Sequence, residues 1–203
     1  MPSSSAPAAQ PAETAPAIVT RTGAVLCVEL LGLELLLEDH RDEPERILER
    51  VNDHLDPAME LIRGYGGVVE RYMTRSLLAS FGVRSQVQDA PHVAFATAMA
   101  LVGTNQRFNQ EHGVRKWLDV AVGVAAGRVA VGQLGSNNRR STILGDCVVV
   151  AEELARRAKA GEVVMDGAIY KAVAKSIRVR PNGPRWLLGR NFSLESYTVV
   201  PVE

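Results

Sequence analysis

The fold class that the sequence predicts is α/β, with one β-sheet packed against helices. Continuous apolar runs of strand length alternate with segments whose apolar residues recur every three to four positions. These spacings are typical of buried strands and amphipathic helices. The chain has 203 residues, of which 46% are hydrophobic, and this is enough to bury one sizeable core. We therefore expect a single folded domain.

The start of the chain differs in composition from the rest. Residues 1–21 are rich in Pro, Ala and Ser and contain almost no large apolar side chains. Such a segment cannot bury enough apolar surface to offset the entropy lost on ordering, so it is predicted to be a disordered leader. A tether or a partner-binding tail is the alternative. Residues 22–203 are then the predicted folded domain.

The charge balance excludes several classes of partner. Lys and Arg number 23, as do Asp and Glu, so the net charge of zero offers no footprint for nucleic acid or an anionic membrane. No apolar run is long enough to cross a bilayer, and the N-terminus lacks the pattern of a signal peptide. These features predict a cytoplasmic protein without membrane insertion. Cys27 and Cys147 lie in apolar runs and are predicted to be buried thiols.

The first two predicted elements are a strand and a helix. Ala24–Leu31 is apolar on both faces except at Glu29, which is typical of a strand in the middle of a sheet. Glu29 either marks the solvated end of that strand or is a ligand. A helix is predicted at Pro44–Arg63 because one apolar stripe recurs along it. The stripe consists of Leu48, Val51, Leu55, Met59 and Ile62.

A β-hairpin is predicted between residues 66 and 82, because two strand-like runs are bracketed by glycines. The turn must fall near Thr74–Arg75, so the hairpin tip displays an arginine. The sequence leaves open which hairpin residues belong to the core and which to a dimer face. That question concerns Val68, Val69, Tyr72 and Leu77.

The second half of the chain continues to alternate helices and strands. Glycines between residues 125 and 135 predict a sharp bend of the backbone, and Asp166 is predicted to cap a short helix that ends at Val173. Helices are predicted at 89–112 and 147–158, and strands at 117–124, 141–146, 161–165, 186–189 and 194–200. The order β-α-β-β-α-β with further C-terminal strands describes a ferredoxin-like sandwich.

Three stretches carry a specific resemblance. Ala126–Gly135 is similar to a glycine-rich motif of the class III adenylate/guanylate cyclase homology domain, Gly145-Asp146 to its strand–Gly-Asp–helix junction, and Trp186–Gly189 to its closing strand. Each stretch is weak alone, but their order and spacing are specific together. The resemblance covers about residues 24–200.

Membership of this family implies a head-to-tail dimer with active sites between the subunits. The implied activity converts ATP or GTP to a cyclic nucleotide and diphosphate. Two aspartates bind Mg²⁺ or Mn²⁺, the partner supplies an Asn and an Arg, and a Lys with an Asp or Thr reads the purine. Hard carboxylate oxygens suit these metals, and a guanidinium suits the developing phosphate charge.

Most of the catalytic positions that the resemblance implies are altered in this chain. The two metal positions fall on Glu29 and Arg75, of which Glu29 is the only surviving carboxylate. The Asn and Arg positions fall on Val149 and Glu153. Glu34 stands where the family cradles phosphate at a helix start.

The purine-reading positions hold Arg71 and Thr142, and only this pair retains suitable side chains. No residue in the catalytic positions is expected to be functional and no cofactor is expected, with Mg²⁺ or Mn²⁺ relevant only to residual cyclase activity. The reversed charges suggest an ion pair of Arg75 with Glu29 or Glu153, the alternative being a solvated arginine without a role.

Three hypotheses for the function follow from these residues. The favoured one is a catalytically inactive signalling or scaffolding module that contacts a second copy or a signalling protein. The second is a sensor that binds a purine nucleotide through Arg71 and Thr142 without cyclising it. The third is a residual cyclase. A diguanylate cyclase is disfavoured because its Gly-Gly-(Asp/Glu)-Glu-Phe hairpin is absent from the sequence.

Overall fold

The computed structural model describes residues 18–112, 118–135, 140–186 and 193–200, with the backbone alone at 185–186. The described part forms an eight-stranded mixed sheet with five helices, which confirms the predicted α/β class. The strands are β1 (Val19–Leu31), β2 (Val68–Met73), β3 (Ser76–Phe81), β4 (Asp119–Leu134), β5 (Arg140–Leu144), β6 (Val163–Asp166), β7 (Val179–Trp186) and β8 (Ser193–Val199). The helices are α1 (Leu33–Asp39), α2 (Pro44–Gly64), α3 (Ala90–His112), α4 (Asp146–Arg157) and α5 (Gly167–Val173).

The sheet is organised around its two longest strands. Its order is β2-β3-β1-β4-β6-β8-β7, with β5 paired to the end of β4. β1 runs antiparallel to β3 and β4, whereas β4 and β6 are parallel. Helices α1, α2, α3 and α5 bury one face of the sheet, and α4 buries the other. One face therefore carries a thick core, and the second is covered by a single helix.

Helix α4 approaches the sheet so closely that one strand position requires glycine. A Cβ at Gly123 in β4 would lie 2.1 Å from the carbonyl oxygen of Ala151 and 2.4 Å from the amide nitrogen of Ala155. Both contacts are with backbone, which cannot rotate away as a side chain can. The absence of a side chain at Gly123 thus allows the backbone of α4 to pack directly against β4.

Several sequence expectations hold and others need correction. The hairpin, its turn at Thr74–Arg75 and the Asp166 cap are confirmed, with the Ile169 amide donating to Asp166 Oδ1 at 2.9 Å. The glycines of residues 125–135 do not break the chain direction, because β4 continues through them as one strand of 16 residues. Helix α1 was not expected. β1 begins at Val19, so residues 19–21 of the predicted leader belong to a strand.

The apolar stripe of α2 also differs from the expectation. Leu48 is 61% exposed, while its neighbour Ile47 is buried. A residue is rotated by about 100° from the next one in a helix, so shifting the stripe by one position moves Leu48 to its edge. His54 occupies the buried stripe instead, and its Nδ1 lies 2.7 Å from Oδ1 of the buried Asn105 in α3.

Both cysteines are buried free thiols, as predicted. Burial, the largest cause, raises the pKa of Cys27 to about 12 and that of Cys147 to about 11.

None of the helices in the described ranges combines the length and the apolar character needed to cross a bilayer. The predicted disorder of the leader remains a prediction for residues 1–17, which lie outside the described part of the chain.

Candidate functional site

Arg75 at the hairpin tip holds two carboxylates. Its Nε donates to Glu29 Oε1 at 2.8 Å, and its Nη1 donates to Glu34 Oε1 at 2.9 Å. Glu29 lies near the end of β1, opposite Ser76, and Glu34 lies in the first turn of α1. The Leu30 amide donates to the carbonyl of Arg75 at 2.7 Å, which ties the hairpin turn to β1. Backbone and side chain therefore place the guanidinium beside both carboxylates.

Of the two ion pairs suggested for Arg75, the one with Glu29 is formed and the one with Glu153 is not. The side chain of Glu29 is 12% exposed, that of Arg75 is 46% exposed and that of Glu34 is 66% exposed. The cluster thus lies at the protein surface with Glu29 as its most enclosed member. Glu34 as a second partner was not foreseen, because nothing in the sequence predicted that α1 would bring it to the hairpin tip.

Glu153 instead forms ion pairs within its own helix. Arg156 Nη2 and Arg157 Nη2 each lie 2.5 Å from one of its carboxylate oxygens. Partial burial raises the pKa of Glu153, but the hydrogen bonds and charges of the two arginines outweigh it and lower that pKa below the ordinary value. Val149, one helical turn earlier in α4, is 49% exposed. α4 therefore presents an apolar side chain and a paired carboxylate.

Arg71 and Thr142 line a common groove between the hairpin and β5. A β-bulge between Val69 and Arg71 sets this arrangement. It pairs Arg71 with Leu78, whose side chain belongs to the α4 side of the sheet. Without the bulge, alternation would direct Arg71 to the opposite face. Arg71 Nη2 forms an ion pair with Glu152 of α4, a partner that the sequence did not indicate.

The hairpin residues left open by the sequence divide between core and surface. Leu77 is fully buried, Val68 and Val69 are half-buried, and Tyr72 is 64% exposed. Tyr72 and Leu134 line the same groove as Arg71. We use the name apolar rim for a set of exposed apolar residues that lie at the hairpin tip, at the C-terminal ends of β4 and β5, and on α4. It consists of Tyr72, Met73, Leu134, Leu144 and Val149.

A second arginine on this side of the molecule is structural. Arg84 Nε donates to both oxygens of Glu70, at 2.9 and 2.8 Å, and the Ser80 hydroxyl donates to Glu70 Oε1 at 2.5 Å. The Glu70 side chain is only 4% exposed. Glu70 is the extra residue of the bulge, and the sequence pattern of the hairpin gave no sign of it.

No group of three or more His, Cys, Asp or Glu side chains within the described ranges is arranged to hold a metal ion.

Two buried polar side chains outside the Arg75 cluster have shifted pKa values. Burial raises the pKa of Asp166 despite its backbone hydrogen bonds. Burial also lowers the pKa of His54, opposed by the hydrogen bond with Asn105.

Comparison with known proteins relates this geometry to one family. The sequence model of the family described as the adenylate and guanylate cyclase catalytic domain matches residues 24–200 of this chain. An adenylate cyclase of Anabaena cylindrica is 28% identical over 142 residues, which are 66% of this chain and 27% of that protein. The chain thus spans about a quarter of the length of that curated relative.

Solved structures show the same fold. The adenylyl cyclase CyaB from P. aeruginosa superposes with a TM-score of 0.83 at 22% identity, over 92% of this chain and 97% of that one. The guanylate cyclase domain of RhGC from Catenaria anguillulae superposes with a TM-score of 0.78 at 17% identity, over 90% and 98%. With a family match over nearly the whole described domain, the chain belongs to the class III adenylate and guanylate cyclase catalytic-domain family.

Proposed function

We propose that this chain is a catalytically inactive member of the family, a signalling or regulatory module that acts through protein–protein contacts. The observation that carries the proposal is the guanidinium of Arg75 between Glu29 and Glu34. This guanidinium stands at one of the two positions where the family resemblance places metal-binding carboxylates. The other position, Glu29, is engaged by it.

The residues at this position do not fit a pair of divalent metals. Two unit charges 4 Å apart interact by about 4 kcal/mol at an effective dielectric constant near 20, and a divalent ion doubles that figure. At that distance Arg75 would repel Mg²⁺ or Mn²⁺ by about twice the unit-charge energy. It also donates a hydrogen bond to Glu29 Oε1 and so competes with a metal for that oxygen. The proposed module therefore needs neither metal.

The partner-side positions support the same conclusion. Val149 has no polar atom in its side chain to orient a ribose, and Glu153 carries the opposite charge to the implied arginine. Losing an arginine that neutralises a transferring phosphoryl group typically costs on the order of 10³–10⁵ in rate. Since neither half of the site is complete, pairing with a different cyclase chain would not restore it.

The apolar rim supports a role in association. Tyr72 and Leu134 line the same groove as Arg71, Val149 is itself one of the altered positions, and Tyr72 and Met73 are more than half exposed. Exposed apolar residues gathered on one side of a molecule are typical of contact surfaces. A second copy or a signalling protein would bury them, as in the head-to-tail dimers of the family.

A combined assay tests the loss of catalysis. We expect no cyclic nucleotide above a boiled control when the chain is incubated with ATP or GTP and Mg²⁺ or Mn²⁺. The triple variant E29D/T74G/R75D should gain Mn²⁺ binding measured by calorimetry, because it restores carboxylates at both metal positions. The matched control R107D makes the same charge change on the exposed surface of α3 and should gain none. Product formed by the unmodified chain would contradict the proposal.

Sedimentation velocity tests the contact surface. If the chain associates with itself through the apolar rim, Y72E should shift the distribution towards the monomer. L48E, at an equally exposed leucine on α2, is the matched control and should leave it unchanged. If the unmodified chain is monomeric at all concentrations, association with a second copy is excluded and only a different partner remains.

A second candidate function is supported by the groove that Arg71 shares with Thr142. These are the purine-reading positions, so the groove could hold a purine nucleotide without cyclising it. Glu34, Glu152 and Glu153 all disfavour a triphosphate, and Glu152 also engages Arg71. Calorimetry with ATP, GTP and cyclic nucleotides decides this point. Micromolar binding that R71Q abolishes, without product, would favour the sensor.

A further inference from the structure

A separate cleft lies between the C-terminal end of α4 and strands β7 and β8. Its volume is about 350 Å³, and its lining includes Leu154, Val164, Pro181 and Asn182. β7 and β2 form opposite edges of the sheet. The cleft is therefore on the other side of α4 from the groove of Arg71 and Thr142, and neither of those residues lines it.

The cleft has an excess of positive charge. Arg157, Lys159 and Arg180 line it together with one carboxylate, Glu162, which lies 3.4 Å from Arg180 Nη2. Arg157 contacts Glu153, but that carboxylate is shared with Arg156. The local count is thus four cationic side chains, Arg156 included, against two carboxylates, which leaves two positive charges. This excess is local, because the whole chain has a net charge of zero.

The floor of the cleft is polar and ordered. Ser196 and Thr198 of β8 line it and are only 3% and 4% exposed. The side-chain Nδ2 of Asn182 donates to Ser196 Oγ at 3.3 Å, and Thr198 Oγ1 donates to Asn182 Oδ1 at 3.0 Å. A serine hydroxyl that accepts one hydrogen bond can still donate its own hydrogen. The floor therefore combines fixed side-chain orientations with capacity for a polar ligand.

We propose that this cleft binds a small phosphomonoester. A phosphomonoester carries close to two negative charges at neutral pH, which matches the local excess, and its oxygens suit guanidinium and ammonium donors. The phosphate contacts Arg157, Lys159 and Arg180 at the rim, and the polar remainder of the molecule contacts Asn182 and Ser196. The proposal does not depend on the loss of cyclase activity, because the cleft shares no residue with the metal or purine positions.

Nuclear magnetic resonance titration of the full chain at constant ionic strength tests the proposal. The probes are ribose 5-phosphate, ribose and inorganic phosphate. We expect ribose 5-phosphate to shift the backbone amides of Asn182, Ser196 and Thr198 saturably, and ribose to leave them unchanged. Inorganic phosphate that binds as tightly as ribose 5-phosphate would overturn the phosphomonoester in favour of free phosphate, whereas weaker binding of inorganic phosphate would support it. No saturable shift up to about 10 mM, well above a millimolar dissociation constant, would overturn the proposal.

Two substitutions localise the binding. R180Q and K159Q should each weaken ribose 5-phosphate binding by about tenfold, equivalent to about 1.4 kcal/mol. R140Q removes an equally charged, exposed side chain from β5 and should have no effect. Unchanged affinity in R180Q with retained amide dispersion would overturn the proposal, because the variant is then folded and its arginine irrelevant.

Discussion

Two arginine clusters on and beside the same hairpin differ in surroundings although their chemistry is alike. Arg84 pairs with Glu70, whose side chain is 4% exposed, and the Arg84 side chain is 23% exposed. Arg75 pairs with Glu29 and Glu34, but it is 46% exposed and Glu34 is 66% exposed. The first cluster is enclosed by protein, whereas the second is mostly exposed and has Glu29, at 12% exposure, as its one enclosed member.

The difference in exposure predicts that Arg84 and Arg75 contribute differently to the stability of the fold. Breaking a buried ion pair leaves an uncompensated charge and typically costs 3–5 kcal/mol, whereas exposed pairs contribute about 0–1 kcal/mol. Arg84 should therefore matter for folding. Arg75 should matter for what Glu29 can bind, with little effect on stability.

The largest expected effect sharpens the enclosed side of the comparison. R84M should lower the free energy of unfolding by about 3 kcal/mol, the lower end for a buried pair since Arg84 retains some exposure. Urea denaturation measures it. The double variant E70Q/R84M should recover part of the loss, because it removes the stranded charge. A loss below 1 kcal/mol in R84M would show that the enclosed pair behaves as a surface pair.

A buried histidine extends the same comparison to protonation. His54 is 6% exposed and its pKa is lowered, with burial as the largest cause. The unfolded chain then binds a proton that the folded chain resists, so stability falls as the pH drops below 6.5. The slope from this group is at most about 1.4 kcal/mol per pH unit.

Urea denaturation between pH 7.5 and 5.5 measures this slope, and H54Q should flatten it. Any contribution of Asp166 has the opposite sign, because burial raises its pKa and the folded chain holds that proton longer as the pH rises. The difference between the unmodified chain and H54Q isolates the histidine. Identical slopes would show that His54 does not resist protonation in the folded state.

The smallest expected effect concerns the open cluster. R75A should lower the free energy of unfolding by only about 1 kcal/mol, because Arg75 and Glu34 are largely exposed and only Glu29, at 12% exposure, loses an enclosed partner. Urea denaturation of R75A beside R84M compares the two arginines directly. A loss in R75A as large as that in R84M would break the distinction between the open and enclosed clusters.

The backbone frame was largely predictable from the sequence, because apolar runs and helical stripes report burial directly. The hairpin turn at Thr74–Arg75 and the Asp166 cap are local features, and both were predicted. The bulge at Glu70 was not, since it depends on how β3 pairs with β2. The partnership of His54 with Asn105 joins residues 51 positions apart.

The contacts within the candidate site could be predicted only in part from the sequence. The Arg75–Glu29 pair was one of the two ion pairs that the reversed charges suggested, and the sequence did not choose between them. Arg156 and Arg157 follow Glu153 by three and four positions in α4, and this spacing favours ion pairs within the helix over a pair with Arg75. The pairing of Arg71 with Glu152 required knowing which face of the sheet the bulge presents.

The contact between Gly123 and the backbone of Ala151 has a mechanical consequence. Because the backbone of α4 packs directly on β4 there, the helix leaves no space between itself and the sheet and separates the two sides of that face. Occupancy of the cleft beside β7 and events in the groove beside β2 should then proceed independently. A signal could pass from one to the other only if the strands beneath the helix changed their twist.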